Sequence, residues 1–113
     1  MLAWHGMADQ LVPVNGSTDY YDRVLAKDSK AQDFYRLFLA PGADHEGAGI
    51  TVSDEASLDY IMDWVERGRA SETLRAAGTT GMGVPAQRNI CMYPRVQHYR
   101  GGDPSLPLSF TCV

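Results

Sequence analysis

The sequence predicts an α/β arrangement that is only part of a domain: two parallel strands, two main helices and an irregular tail. Three observations carry that expectation. Residues 1–40 follow a strand, helix, strand pattern. Leu58, Ile61, Met62 and Val65 repeat at i, i+3, i+4 and i+7, the period of a helix with one apolar face. From Arg69 onward neither the helical nor the alternating period continues.

The first strand candidate covers residues 1–5 and stops at Gly6; the second is Asp33 to Ala40, an aromatic and aliphatic run that stops at Pro41-Gly42. Between them Ser17 is a helix cap candidate. Tyr20, Tyr21, Val24 and Leu25 supply the apolar stripe, and Pro13 and Asn15-Gly16 mark the loop before it. The second helix has Ser53 as cap, Asp54 and Glu55 in the first turn where the helix dipole favours negative charge, and Gly68 as a stop. Ala76 to Gly83 has the composition of a flexible linker. The expected organisation is residues 1–75 as the C-terminal part of a core and 76–113 as linker and irregular tail. Two parallel strands covered by helices bury both faces, which takes a wider sheet than two strands make, so the segment is expected to be an incomplete domain.

Composition bounds the partners more than the function. A chain of 113 residues with 44% hydrophobic and 21% charged residues is ordinarily globular. Its formal net charge of -4, with no Lys/Arg run, argues against nucleic acid and against anionic lipid as partners. No apolar stretch approaches the roughly 20 residues of a membrane-spanning helix, and residues 1–6 lack the pattern of an export signal. Cys91 and Cys112 fit either a bridge or two reduced thiols; a zinc site is disfavoured because there is no second cysteine pair and His98 makes a poor ligand set.

A right-handed crossover would set both strands in one parallel sheet with their C-terminal ends at the same edge, where α/β proteins place their chemistry. The loop after the first strand offers Asp9, and the loop after the second offers His45. In α/β-hydrolases the triad runs Ser, then Asp or Glu, then His along the chain, and Asp9 and His45 fit that order. A neutral imidazole must take the nucleophile's proton, and an acid must hold its other nitrogen in the right tautomer. By spacing alone the pair fits equally an aspartate capping a turn before Pro13 and an exposed loop histidine.

Longer blocks of sequence add to this. Trp4-His5-Gly6-Met7-Ala8-Asp9-Gln10-Leu11-Val12-Pro13, Gly16-Ser17-Thr18-Asp19-Tyr20-Tyr21, Asp33 through Gly42 leading to His45, Leu58-Asp59 through Asp63-Trp64-Val65-Glu66-Arg67-Gly68, and Gly101-Gly102-Asp103-Pro104 to Phe110-Thr111-Cys112 resemble the tannase and feruloyl esterase family of secreted ester hydrolases. The resemblance runs in order over nearly the whole chain. It implies the C-terminal portion of an α/β-hydrolase fold, with Asp9 as catalytic acid, His45 as catalytic histidine, and Cys91 and Cys112 as a disulfide. It implies a serine carboxylic ester hydrolase, extracellular, acting on small or polymer-linked phenolic esters without an organic cofactor. Calcium in this family sits in a lid domain ahead of the present segment, so no metal is expected in these residues.

Two departures lie beside the histidine. The family's cysteine directly after it, bonded to a cysteine before the nucleophilic serine, is here Glu46, and Asp44 replaces a small residue. Two flanking carboxylates would favour the cationic imidazole. The nucleophile itself is absent: no small-residue elbow surrounds Ser17, Ser29, Ser53, Ser57, Ser71, Ser105 or Ser109, so it and the oxyanion hole are expected in the missing N-terminal part. His5, at a strand end, reads as a packed or hydrogen-bonded structural residue, and Trp4 and Trp64 as core. The alternatives are a truncated or degenerate product without catalytic function and a different α/β-hydrolase, which would share the acid-then-histidine order but not the tail blocks.

Overall fold

A computed structural model describes all residues, 1–113. Strand β1 (Leu2–Gly6) and strand β2 (Arg36–Ala40) pair in parallel, from Leu2 opposite Arg36 to Gly6 opposite Ala40. Their C-terminal ends therefore share one edge, as the crossover argument requires. The second strand begins three residues later than the apolar run suggests, because Ala31–Asp33 forms a short 3-10 turn and Phe34 is exposed.

Helix α1 (Val14–Lys27) makes the crossover. It starts directly after Pro13, so Ser17 lies inside the helix instead of capping it. Proline presets the backbone angle that a helix start needs, and this shifts the beginning three residues upstream of the serine. Tyr21 is fully buried and donates its hydroxyl to the Tyr35 carbonyl at 2.8 Å, with its ring edge-on to Tyr35 and Tyr93. Tyr20 of the expected stripe faces out.

Helix α2 (Asp54–Arg67) is built as its sequence announces. The Ser53 hydroxyl accepts the Ala56 N–H, and Gly68 takes a left-handed conformation that lets Gly68 and Arg69 close the last turn on Trp64 and Asp63. The face it presents to the core is different. Ala56 and Tyr60 pack inward, while Leu58, Met62 and Val65 stay exposed. A helix period in the sequence identifies an apolar stripe but not its partner, and within this chain that stripe has none.

The stretch expected to be a linker is corrected by the structure. Strand β3 (Ile50–Thr51), strand β4 (Thr73–Thr79) and strand β5 (Pro85–Cys91) form an antiparallel sheet in the order β3, β4, β5. Ala76 to Gly83 looks like linker because its residues are small, yet Leu74 and Ala76 point inward in strict alternation with Arg75 and Ala77. With Ala86 and Ile90 they join Phe38, Ala40, Ala43, Ile50 and Val52 in one buried cluster. Tyr93 N–H donates to the Leu37 carbonyl at 2.8 Å, so the chain leaving β5 lies against the free edge of β2. Residues on both sides of position 75 thus share a core.

The tail carries two further short strands, β6 (Gln97–Tyr99) and β7 (Phe110–Cys112), paired antiparallel. A disulfide between Cys91 and Cys112 ties β7 to β5, with the Cα atoms 5.7 Å apart. No helix is long and apolar enough to cross a membrane.

Candidate active site

Both loops singled out by the sequence leave the same sheet edge, and the structure brings Asp9 and His45 into contact there. Gly6 makes this possible. A Cβ at that position would lie 2.3 Å from the Ala43 carbonyl oxygen, so only glycine lets the loop after β2 close over the end of β1. The loops then lace together: Met7 N–H donates to the Ala40 carbonyl at 2.9 Å and Ala8 N–H to the Ala43 carbonyl at 3.0 Å. The Gln10 side-chain oxygen accepts the backbone N–H of His45 at 3.2 Å.

The Asp9 carboxylate is only 6% exposed and accepts four hydrogen bonds. Its Oδ1 takes the backbone N–H groups of Leu11 at 2.9 Å and Val12 at 2.7 Å. Its Oδ2 takes two imidazole N–H groups, from His45 Nδ1 and from His5 Nε2, each at 3.0 Å. Removal from water works to raise the carboxyl's pKa, but the donors from Val12, His45, Leu11 and His5 outweigh it and hold the group well below the usual carboxylate range. An ionised carboxylate can only accept, so both facing ring nitrogens carry hydrogen. His45 is thereby set in the tautomer with Nδ1–H, leaving Nε2 as a lone pair. The ring is 44% exposed, and no group in the chain hydrogen-bonds that Nε2.

The flanking carboxylates do not crowd the imidazole as expected. Asp44 turns its Oδ1 back into its own loop, accepting Glu46 N–H at 2.9 Å and Ala48 N–H at 2.8 Å. The only carboxylate within ion-pair distance of His45 is Asp9. Asp44 thus acts as a turn former that shapes the histidine loop, a use open to any aspartate preceding free backbone N–H groups.

None of the seven serines hydrogen-bonds His45. Ser53 caps α2, Ser71 and Ser109 donate to backbone carbonyls, Ser105 bonds Asp103, and Ser17 bonds His5 at 2.7 Å. No group of three His, Cys, Asp or Glu side chains is disposed to hold a metal ion. Gln10 escaped the sequence reading, and so did the partner of His5, which was read as a packed or hydrogen-bonded structural residue and bonds Asp9 and Ser17. His5 sits four residues before Asp9 across the tight turn at Gly6, where Asp9 N–H donates to the Gly6 carbonyl at 3.3 Å. A strand end, a glycine and an acid at that spacing would fold the carboxylate back over the histidine, and this was the available signal.

A family model described as tannase and feruloyl esterase matches residues 1–113. The chain belongs to that family. It is 41% identical over 122 residues to a probable feruloyl esterase of Arthroderma benhamiae, covering 100% of this chain and 22% of that protein. A mono(2-hydroxyethyl) terephthalate hydrolase of Piscinibacter sakaiensis is 38% identical over 117 residues, covering 100% and 19%. Among solved structures, an esterase from Aspergillus oryzae superposes with a TM-score of 0.84 at 31% identity, over 99% of this chain and 27% of that one. The chain thus spans about a fifth to a quarter of the length of these family members, and the mixed α/β architecture is that of the corresponding part of an esterase.

Proposed function

We propose that this chain supplies the acid and base of a serine carboxylic ester hydrolase whose nucleophile and oxyanion donors lie outside these 113 residues. The observation that carries the reading is the Asp9 to His45 contact at 3.0 Å, with the opposite ring nitrogen open to solvent. In that arrangement His45 Nε2 takes the proton of a serine attacking the ester carbonyl and returns it to the leaving alcohol. Asp9 keeps the tautomer and stabilises the imidazolium formed between those steps. A water molecule activated by the same Nε2 then hydrolyses the acyl-enzyme.

The substrate class follows from the relatives. A feruloyl esterase and a terephthalate monoester hydrolase both cleave esters of aromatic carboxylic acids, and we assign that class here, with feruloyl and galloyl esters as the first substrates to try. The mechanism needs no cofactor from this segment. The disulfide supports an extracellular location. The exposed stripe of Leu58, Met62 and Val65 supports the view that the rest of the domain packs here.

The test is hydrolysis of methyl ferulate and a gallate ester by the protein that carries this chain together with its upstream sequence. Turnover is expected, with loss of several orders of magnitude in kcat for His45→Ala. The isolated 113-residue chain is expected to be inactive and unreactive toward a fluorophosphonate probe. Undiminished turnover in His45→Ala would remove this residue as the base, and serine-dependent turnover by the isolated chain would refute the division of the triad.

A further inference from the structure

We propose that His5 is a positioning residue for the Asp9 and His45 pair, with Ser17 anchoring the far side of the His5 ring; this rests on the reading of Asp9 and His45 as acid and base. The local chemistry leaves little freedom. His5 Nε2 faces Asp9 Oδ2 at 3.0 Å and the Val12 carbonyl at 3.1 Å. Both are pure acceptors, so Nε2 carries the hydrogen. In the neutral ring Nδ1 is then an acceptor, and the Ser17 hydroxyl donates to it at 2.7 Å. Ser17 stands on helix α1, so a rigid element holds the His5 ring in place, and His5 in turn presents its Nε2–H to the carboxylate.

Burial separates the two histidines. His5 is 12% exposed and lies behind the carboxylate; His45, at 44%, lies in front of it and faces solvent. The single oxygen Oδ2 is gripped by both rings while Oδ1 is gripped by two backbone N–H groups. Rotation of the carboxylate would break bonds on both sides at once. The type of donor also matters. A lysine or arginine behind Asp9 would hold it equally well but would neutralise the charge that has to stabilise the imidazolium of His45. A neutral imidazole N–H orients the carboxylate and leaves its charge in place. The order Ser17, His5, Asp9 itself resembles a proton relay, but Ser17 lies in the first turn of α1 and His5 is only 12% exposed.

The experiment uses the protein with its upstream part, aromatic ester substrates, and His45→Ala as the reference. His5→Leu removes the donor, whereas His5→Gln keeps a side-chain N–H able to reach Asp9. We expect His5→Leu to lower kcat about tenfold or more with KM within about twofold, and His5→Gln to recover to within about threefold of the parent. Ser17→Ala should lower kcat by about two- to fivefold without moving KM, which decides the matter even if His5→Leu does not fold. The low-field proton resonance of His45 Nδ1–H should stay sharp in His5→Gln and broaden in His5→Leu. Full kcat in His5→Leu beside an inactive His45→Ala would overturn this inference alone, as would a His5→Gln no better than His5→Leu or a Ser17→Ala indistinguishable from the parent. An active His45→Ala would sink the assignment of the base, and labelling of Ser17 by a fluorophosphonate would reverse the roles given to both histidines.

Discussion

Replacing Asp9 by asparagine is the perturbation whose outcome the structure constrains most tightly. The carboxylate accepts four N–H donors, and an amide offers one accepting and one donating atom. If the amide oxygen keeps the Oδ1 position, the NH2 group points at His45 Nδ1–H and His5 Nε2–H, both 3.0 Å away. Each ring must then move its hydrogen to the far nitrogen. For His45 that places a hydrogen on Nε2, which can no longer take a proton from a nucleophile. For His5 it sets a bare nitrogen lone pair against the Val12 carbonyl at 3.1 Å. If the amide is turned over, its NH2 meets the N–H groups of Leu11 and Val12 at the former 2.9 and 2.7 Å, and the loop opens. Neither orientation preserves the accepting tautomer within the present loop geometry, so kcat should fall by about 10⁴-fold with KM little changed. Steady-state hydrolysis of methyl ferulate by the protein with its upstream part measures the rate, and nitrogen-15 NMR of the imidazoles reads the tautomer. A kcat within tenfold of the parent, or a His45 ring still protonated at Nδ1 in the variant, would refute the reasoning.

Four further outcomes follow from the same geometry. Gly6→Ala places a methyl group 2.3 Å from the Ala43 carbonyl oxygen; it should cost about 1–3 kcal/mol of stability in urea unfolding and should depress kcat by displacing the His45 loop. Gln10→Ala removes the side-chain acceptor of the His45 amide, so hydrogen exchange at that amide should quicken and kcat should fall by about two- to tenfold. Cys112→Ser opens a loop of 21 residues in sequence separation and should destabilise by about 3 kcal/mol in denaturant titration, with ester hydrolysis retained at low temperature because the bond lies away from Asp9 and His45. The fourth concerns pH. Asp9 has a folded-state pKa depressed below its ordinary value, so its contribution to stability is fully present above about pH 4 and is lost as pH falls toward the folded value. The stability gap between parent and Asp9→Asn should therefore shrink as pH falls below about 4; a gap that widens there would contradict the hydrogen-bonded, ionised carboxylate.

What was legible in the sequence was whatever rests on local chemistry. Ser53 and Gly68 announce both ends of α2, and the parallel pairing of β1 with β2 follows from a strand, helix, strand order and the handedness of crossovers. The acid and the histidine were legible as loop residues at one sheet edge. Less legible was everything decided by a distant partner. Small residues at Ala76 and Ala77 look like linker until Phe38 and Ile90 are known to pack on the same strand. The stripe of Leu58, Met62 and Val65 has the period of a buried face, yet it stays bare here because period cannot say whether the covering surface is in the same 113 residues. His5 was legible as a hydrogen-bonded structural residue at a strand end, but its partner was not, because only the turn at Gly6 brings the Asp9 carboxylate back onto its ring.

Glu46 stands where the family resemblance implies a bridged cysteine, and this separates two requirements that a covalent bridge would merge. One is the geometry between acid and base; the other is the geometry between base and nucleophile. The first does not need the bridge. Gly6 admits the Ala43 carbonyl, Ala8 and Gln10 hold the loop after β2 from one side, and Asp44 folds that loop from within. These ties all lie inside this chain, and they set His45 against Asp9 without any contact to Glu46 beyond its backbone N–H. The second requirement has no such support among these residues, because no serine hydrogen-bonds His45. In the proposed enzyme the nucleophile loop is therefore located by packing against the exposed edge of the site. Losing the bridge should then weaken the register between His45 and the serine while leaving the Asp9 and His45 contact, and the tautomer it enforces, intact.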